Sequence, residues 1–305
     1  MKIAIAGIGG VGGYYGGKLA RFYHARDDVA VYFMARGEHL RKIRKHGLKL
    51  IHAEGEFIAR PDRATDQPVE LGGADLLIFA VKAYDLESAA EQLVPYTGNE
   101  TVVLSLLNGV DHAEKLKRLF PGRRILNGCV YLSAFIESPG VVKQVGGSCK
   151  LFFGPEEGST EAFRLLEKMF RDAGIQATLV ENIQAVVWEK YLFLSSIAGV
   201  TSLYGEAFGA VMADKEKRDL LRGLMQEVEQ VAASKGIRLP EDIVDRAMKT
   251  IEGFPGQTKS SMQLDFEKGR KTELESLPGY IVREAPGLGL DVPLHKRVYV
   301  RLIKK

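Results

Sequence analysis

The stretch Lys2-Ile3-Ala4-Ile5-Ala6-Gly7-Ile8-Gly9-Gly10-Val11-Gly12 decides how the chain is read. An apolar run stops at Gly7, and Gly7, Gly9 and Gly12 follow the spacing G-x-G-x-x-G. The pattern then turns helical through Tyr14, Lys18, Leu19 and Ala20. A buried parallel strand, a tight glycine turn and a helix N-terminus together make a pyrophosphate cradle. The first glycine permits the turn, the second lets backbone approach phosphate, and the third lets the helix pack on the strand. The helix start adds free N–H groups and the positive end of its dipole. A chain with 33 Gly also produces such spacings by chance, so an ordinary glycine-rich turn is the alternative. The position after a strand and before a helix favours dinucleotide binding.

Working outward, Val29-Ala30-Val31-Tyr32-Phe33-Met34 is a second β-rich run, ending at Ala35-Arg36-Gly37. This end is where a dinucleotide fold contacts the adenosine ribose, about twenty residues beyond the glycines. An acid here would bind the 2′-hydroxyl of NAD. Ala35 followed by Arg36 instead favours a 2′-phosphate, hence NADPH, through a bidentate guanidinium contact. Glu38, further along, leaves NADH open. Residues 48–58, broken at Gly55, read as a strand pair or hairpin, and residues 75–81 and 101–107 as buried strands. Strands alternating with helices predict a parallel sheet with its ligand at the carboxyl ends. Lys82 and Asn108 sit at such ends. Their plain alternatives are a surface lysine in a loop and an Asn-Gly turn. Short β-type runs within 127–154 extend the sheet, 161–174 is helical, and 175–180 is one more strand, closing a first domain at 1–180.

From residue 181 to 305 strand signals almost vanish, and an all-helical second domain is expected. The expected fold is therefore α/β, a Rossmann-type doubly wound parallel sheet followed by a helical domain, a build that places active sites between domains. Residues 219–235 are amphipathic, Pro240-Glu241-Asp242 opens another helix, and two later helices surround Ser260-Ser261-Met262 and Thr272-Glu273-Leu274-Glu275. Lys190 lies inside a strongly apolar helix, where a lysine costs free energy unless paired or snorkelling. A lysine depressed by burial is a competent general acid; a stem-buried lysine is the plainer reading. Glu273 on its own reads as a helix-start acid.

The 305 residues are 46% hydrophobic and 27% charged with a net charge of +3, which argues against nucleic acid as a partner. The uncharged run 191–205 is shorter than a bilayer span and reads as a core helix rather than a membrane segment. Cys129 and Cys149 have no metal or CxxC spacing and read as reduced, buried thiols. With no signal peptide read at the start, the expected location is cytoplasmic.

Together these pieces resemble the ketopantoate reductase (2-dehydropantoate 2-reductase) family. The resemblance rests on Gly7-Ile8-Gly9-Gly10-Val11-Gly12, Arg36, Val81-Lys82-Ala83-Tyr84-Asp85, Leu107-Asn108-Gly109-Val110 and Pro139-Gly140-Val141-Val142. It continues with Trp188-Glu189-Lys190, Ser260-Ser261-Met262-Gln263-Leu264-Asp265, Lys271-Thr272-Glu273-Leu274-Glu275 and Gly279-Tyr280. It implies that Gly7, Gly9, Gly10, Val11, Gly12, Arg36, Lys82 and Asn108 bind NADPH. It further implies Lys190 as general acid, Glu273 holding the substrate hydroxyl and helping place the lysine, and Asn108 beside nicotinamide and substrate. Ser261 would bind the substrate carboxylate. The implied reaction is reduction of 2-dehydropantoate to (R)-pantoate, with a small 2-keto acid as partner and a homodimer kept open. Where the family usually carries asparagines lining the substrate pocket, this chain has Leu194, Ala198 and Phe208. That change admits a more apolar 2-keto acid, with Ser195, Ser196 or Thr201 as compensating groups. A non-catalytic NADP(H)-binding protein is a third reading, opposed by the retained Lys190 and Glu273.

Overall fold

The computed structural model describes residues 1–305 and divides into two compact units. One comprises residues 1–107 and 111–183; the other comprises 108–110 and 184–305.

The first unit is α/β. Strands β1 (Lys2–Ala6), β2 (Ala30–Met34), β3 (Leu48–His52), β4 (Gly55–Ala59), β5 (Arg63–Thr65) and β6 (Ala74–Phe79) come first. They are followed by β7 (Thr97–Ser105), β8 (Arg124–Val130), β9 (Ser133–Ser138), β10 (Val141–Gly146), β11 (Lys150–Gly154) and β12 (Gln176–Leu179). Helices α1 (Gly10–Tyr23), α2 (Gly37–His46), α3 (Leu86–Leu93), α4 (His112–Leu119) and α5 (Arg164–Asp172) connect them. The main sheet has eight strands in the order β12-β11-β8-β7-β6-β1-β2-β5, with β1 at the point where the order reverses. Its core strands are buried on both faces because helices cover both, so β1 and β6 read as continuous apolar runs rather than alternating ones.

The expected extension of this sheet by residues 127–154 holds only in part. β8 and β11 join it, but β11 runs antiparallel to β8, so the sheet is mixed. β9 and β10 instead enter a separate four-stranded sheet, β4-β3-β10-β9, together with the β3–β4 hairpin. Helix α1 packs against this second sheet closely. A Cβ at Gly10 would lie 2.0 Å from the Ala134 carbonyl oxygen, and one at Gly13 would lie 2.6 Å from a Val142 methyl. Neither thiol forms a disulfide; Cys129 is buried, but Cys149 is only half-buried and has a φ of +57°, so the expectation of two buried thiols is corrected.

The second unit is helical throughout: α6 (Ile183–Tyr204), which starts at the unit boundary, α7 (Phe208–Ala213), α8 (Lys215–Ser234), α9 (Ile243–Glu252), α10 (Ser261–Glu267), α11 (Pro278–Glu284) and α12 (Pro293–Leu302). No helix is long and apolar enough to cross a membrane. Helix α8 starts earlier than its apolar periodicity suggests, because the Asp214 side chain caps it by accepting from the Lys217 N–H at 3.2 Å. Pro240 does not open α9; it lies in the preceding turn, whose carbonyl accepts from Ile243 N–H at 3.0 Å. Thr272 to Glu275 is not helical either. Glu273 stands in a turn ahead of α11, so it does not serve a helix dipole.

Candidate active site

In the first unit the glycine turn is built for close approach. Gly7 has a φ of +96° and its N–H donates to Met34 O at 3.2 Å, tying the turn to β2. A Cβ on Gly12 would lie 1.9 Å from the Gly7 carbonyl oxygen, so the third glycine is required for α1 to leave the strand where it does. Gly9 is different: a Cβ there would meet nothing within 4 Å. Gly9 is also the N-cap of α1, with no capping side chain and no acid in the first turn, which contains Gly10, Val11 and Gly12. The first-turn N–H groups are therefore not claimed by a side chain, and open space lies over the second glycine. Both features suit a dinucleotide diphosphate.

Arg36 is the exposed N-cap residue of α2; its carbonyl accepts from Leu40 N–H at 3.2 Å, while its guanidinium makes no hydrogen bond or ion pair inside the chain. Glu38 is engaged by Arg41 and faces Lys42 at 4.0 Å. Lys82, half-buried, follows β6 and precedes a short helical turn whose Asp85 N–H donates to its carbonyl at 2.9 Å. His39, which sequence reasoning missed, joins this region. Its Nδ1 accepts from the Gly140 N–H at 3.0 Å, and burial pushes the imidazole below its usual value against an opposing effect of the Ile8 backbone. A histidine in the first turn after Gly37 was the only available signal.

In the second unit, Lys190 lies half-buried on α6 and its Nζ donates to Asn108 Oδ1 at 2.7 Å. Asn108 follows β7 and precedes Gly109, whose φ is +122°, a conformation that favours glycine and turns the chain sharply. The Asn-Gly turn and the functional reading of Asn108 are thus compatible. Glu189, beside Lys190 in sequence, is held by Arg246 at 3.0 Å. Glu273 is 4% exposed, and its backbone carbonyl closes the turn by accepting from Ser276 N–H at 3.2 Å and Leu277 N–H at 3.0 Å.

Ser261 is exposed as the first residue of α10, while its neighbour Ser260 is buried and caps that helix, accepting from Gln263 N–H at 3.1 Å. The Ser260 hydroxyl also bonds Thr201 at 2.8 Å, and Thr201 bonds the Ile197 carbonyl at 2.8 Å. The Thr201 hydroxyl is therefore engaged inside the helical unit. Ser195 and Ser196 are fully buried, with hydroxyls that find no partner. Ala198 and Phe208 belong to the apolar core of this unit, and Leu194 packs against it. Phe208 meets Phe254 edge-on at 5.5 Å, and Phe193 stacks on Phe254 at 5.9 Å.

Two family models match the chain. Ketopantoate reductase PanE/ApbA covers residues 3–158, and the C-terminal region of the same family covers 182–305. A 2-dehydropantoate 2-reductase of Mesorhizobium japonicum is 33% identical over 91% of this chain and 89% of its own length. An uncharacterized oxidoreductase of Bacillus subtilis, YkpB, is 30% identical over 99% of this chain and 98% of its own. The crystal structure of a PanE/ApbA family ketopantoate reductase from Ralstonia eutropha superposes with a TM-score of 0.91 at 30% identity, covering 100% of this chain and 98% of that one.

Proposed function

The chain belongs to the ketopantoate reductase family and is an oxidoreductase acting on a CH–OH group, and we propose that it reduces a 2-keto acid with NADPH, 2-dehydropantoate to (R)-pantoate being the first reaction to test. The observation that carries this reading is the 2.7 Å hydrogen bond from Lys190 Nζ to Asn108 Oδ1.

A nicotinamide held by the first unit would supply the hydride. The Gly7–Gly12 turn and the first-turn N–H groups of α1 would hold the diphosphate, Arg36 would read the 2′-phosphate, and Lys82 would add to cofactor binding. Arg36 is available because Glu38 is occupied by Arg41, which favours NADPH over NADH. As the carbonyl carbon is reduced, negative charge develops on its oxygen, and Lys190 would protonate that oxygen as general acid. Asn108 cannot donate to Lys190; it accepts, so it fixes the direction of the ammonium without taking its proton. Glu273, buried, would hold the substrate hydroxyl, and exposed Ser261 would receive the carboxylate.

The test is NADPH oxidation with 2-dehydropantoate, beside NADH, in wild type and Lys190→Ala. Loss of the acid is expected to lower kcat about a hundredfold or more, with NADPH affinity little changed. An unchanged kcat in the variant removes the lysine from the reaction. A second reading, a more apolar 2-keto acid, draws on Leu194, Ala198 and Phe208 lying in or against an apolar core with Thr201 occupied elsewhere. A site built to hydrogen-bond a hydroxyl discriminates strongly, whereas an apolar one does not. Ranking kcat/KM across keto acids with hydroxylated and purely hydrocarbon side chains separates the two.

A further inference from the structure

Tyr191 follows Lys190 directly on α6 and plays no part in the reaction as described so far. Its ring is 2% exposed and meets Trp188 edge-on at 5.6 Å and Tyr280 edge-on at 6.0 Å, and those two rings meet each other at 6.1 Å, so the three close a triangle. Its hydroxyl donates to the Leu277 carbonyl oxygen at 2.5 Å. Leu277 is the last residue of the turn that begins at Glu273 and the N-cap residue of α11. Within the turn, Ser276 N–H, Ser276 Oγ and Leu277 N–H all donate to the one carbonyl of Glu273. On its outer side the Glu275 carboxylate accepts from Arg283 at 2.8 Å and from the Tyr299 hydroxyl at 2.6 Å. Gly279 N–H donates back to Leu274 O at 2.9 Å, so the turn and the start of α11 form one stiff piece. The phenol thus joins that piece to α6 one residue beyond the proposed acid.

We propose that Tyr191 is a positioning residue that sets the Glu273 turn in register with Lys190. The inference rests on the functional reading above, in which Lys190 and Glu273 serve one substrate. Two groups on separate elements can act together only if their separation is held to within a fraction of an ångström. A short hydrogen bond from a buried ring held in a three-ring cluster supplies that constraint, because the phenol has little rotational freedom left to lose. Tyr191 touches neither substrate nor cofactor in this role; it acts through the turn.

Tyr191→Phe keeps the ring and its edge-on contacts and removes only the hydroxyl. It is measured with Glu273→Gln, the double variant and Lys190→Ala, by single-turnover and steady-state NADPH oxidation with a 2-keto acid and by thermal melting. Tyr191→Phe is expected to lower the turnover rate about tenfold while leaving KM for NADPH within twofold. In the Glu273→Gln background the same change is expected to cost less than twofold, because a turn without its carboxylate no longer needs register. A purely structural role would lower the melting temperature and leave the rate unchanged, or would give additive losses, and either result overturns the proposal. If wild type reduces no 2-keto acid, or Lys190→Ala retains the wild-type rate, the functional reading falls and this role with it. If wild type is active and Lys190→Ala is not, an unchanged or additive Tyr191→Phe overturns the positioning role alone.

Discussion

Gly9 and Gly12 are both glycines, for opposite reasons, and the difference is measurable. A methyl at Gly12 would collide with the Gly7 carbonyl at 1.9 Å, so Gly12→Ala is expected to lower the melting temperature and NADPH binding together. A methyl at Gly9 enters open space, so Gly9→Ala is expected to leave melting of the unliganded protein unchanged. It is still expected to raise KM for NADPH about tenfold or more, since the methyl fills the room a phosphate needs. Equal loss of melting temperature in both variants would sink this distinction. Arg36 offers a second test at the same scale. Removing a charge-assisted contact costs about 1.5–3 kcal/mol, so Arg36→Ala is expected to raise KM for NADPH ten- to a hundredfold and leave KM for NADH where it was.

Among the elements, the Thr201–Ser260 hydrogen bond at 2.8 Å ties α6 to the cap of α10. Thr201→Val keeps the shape and deletes the hydroxyl, and it is expected to cost about 1 kcal/mol of stability. Denaturant unfolding checks this, and an unchanged midpoint would remove the cap from the stability of the helical unit. Elements whose identity follows from local pattern were legible beforehand. The β1–turn–α1 unit announces itself through an apolar run and glycine spacing, and the Lys190 helix through its continuous apolar face. Partners far apart in the chain were not legible. β10 pairs with β3 in parallel, Val142 opposite Leu50, and no local feature of either strand names the other. Glu273 differs from its sequence reading for a related reason: acids before an apolar segment usually start helices, whereas here the backbone closes into a turn that also bonds Tyr191, distant in sequence. The burial of Leu194, Ala198 and Phe208 in or against a core could likewise be read only once the helices had packed.

At the scale of the molecule, pH acts on stability through buried imidazoles. His295 is fully buried, and burial holds its pKa below the usual 6.5 despite the Glu227 carboxylate at 2.7 Å, which raises it. The folded chain therefore keeps His295 neutral, with Nδ1–H donating to Glu227, where the unfolded chain would bind a proton. Stability from this group is complete above about pH 6.5 and is lost as pH falls below it. His39 and His52 are shifted in the same direction by burial. The melting temperature is accordingly expected to be flat from pH 8 to 6.5 and to fall toward pH 5; a rise on acidification would contradict the assignment. Glu227 also accepts the N–H groups of Leu294 and His295 at the start of α12, at 2.8 and 2.9 Å, so Glu227→Gln is expected to destabilise at every pH.

Residues 108–110 belong to the helical unit although they are flanked on both sides by the sheet unit. The two units are therefore not modules that recombination can exchange at a single junction. A chimera joined at 183/184 would give Lys190 an asparagine loop from a different ancestor, and a helical fragment beginning at residue 184 would lack that loop altogether. Substitutions in the tripeptide and along α6 should then be inherited together, and engineering that transplants the helical half needs to carry three residues from the other half with it.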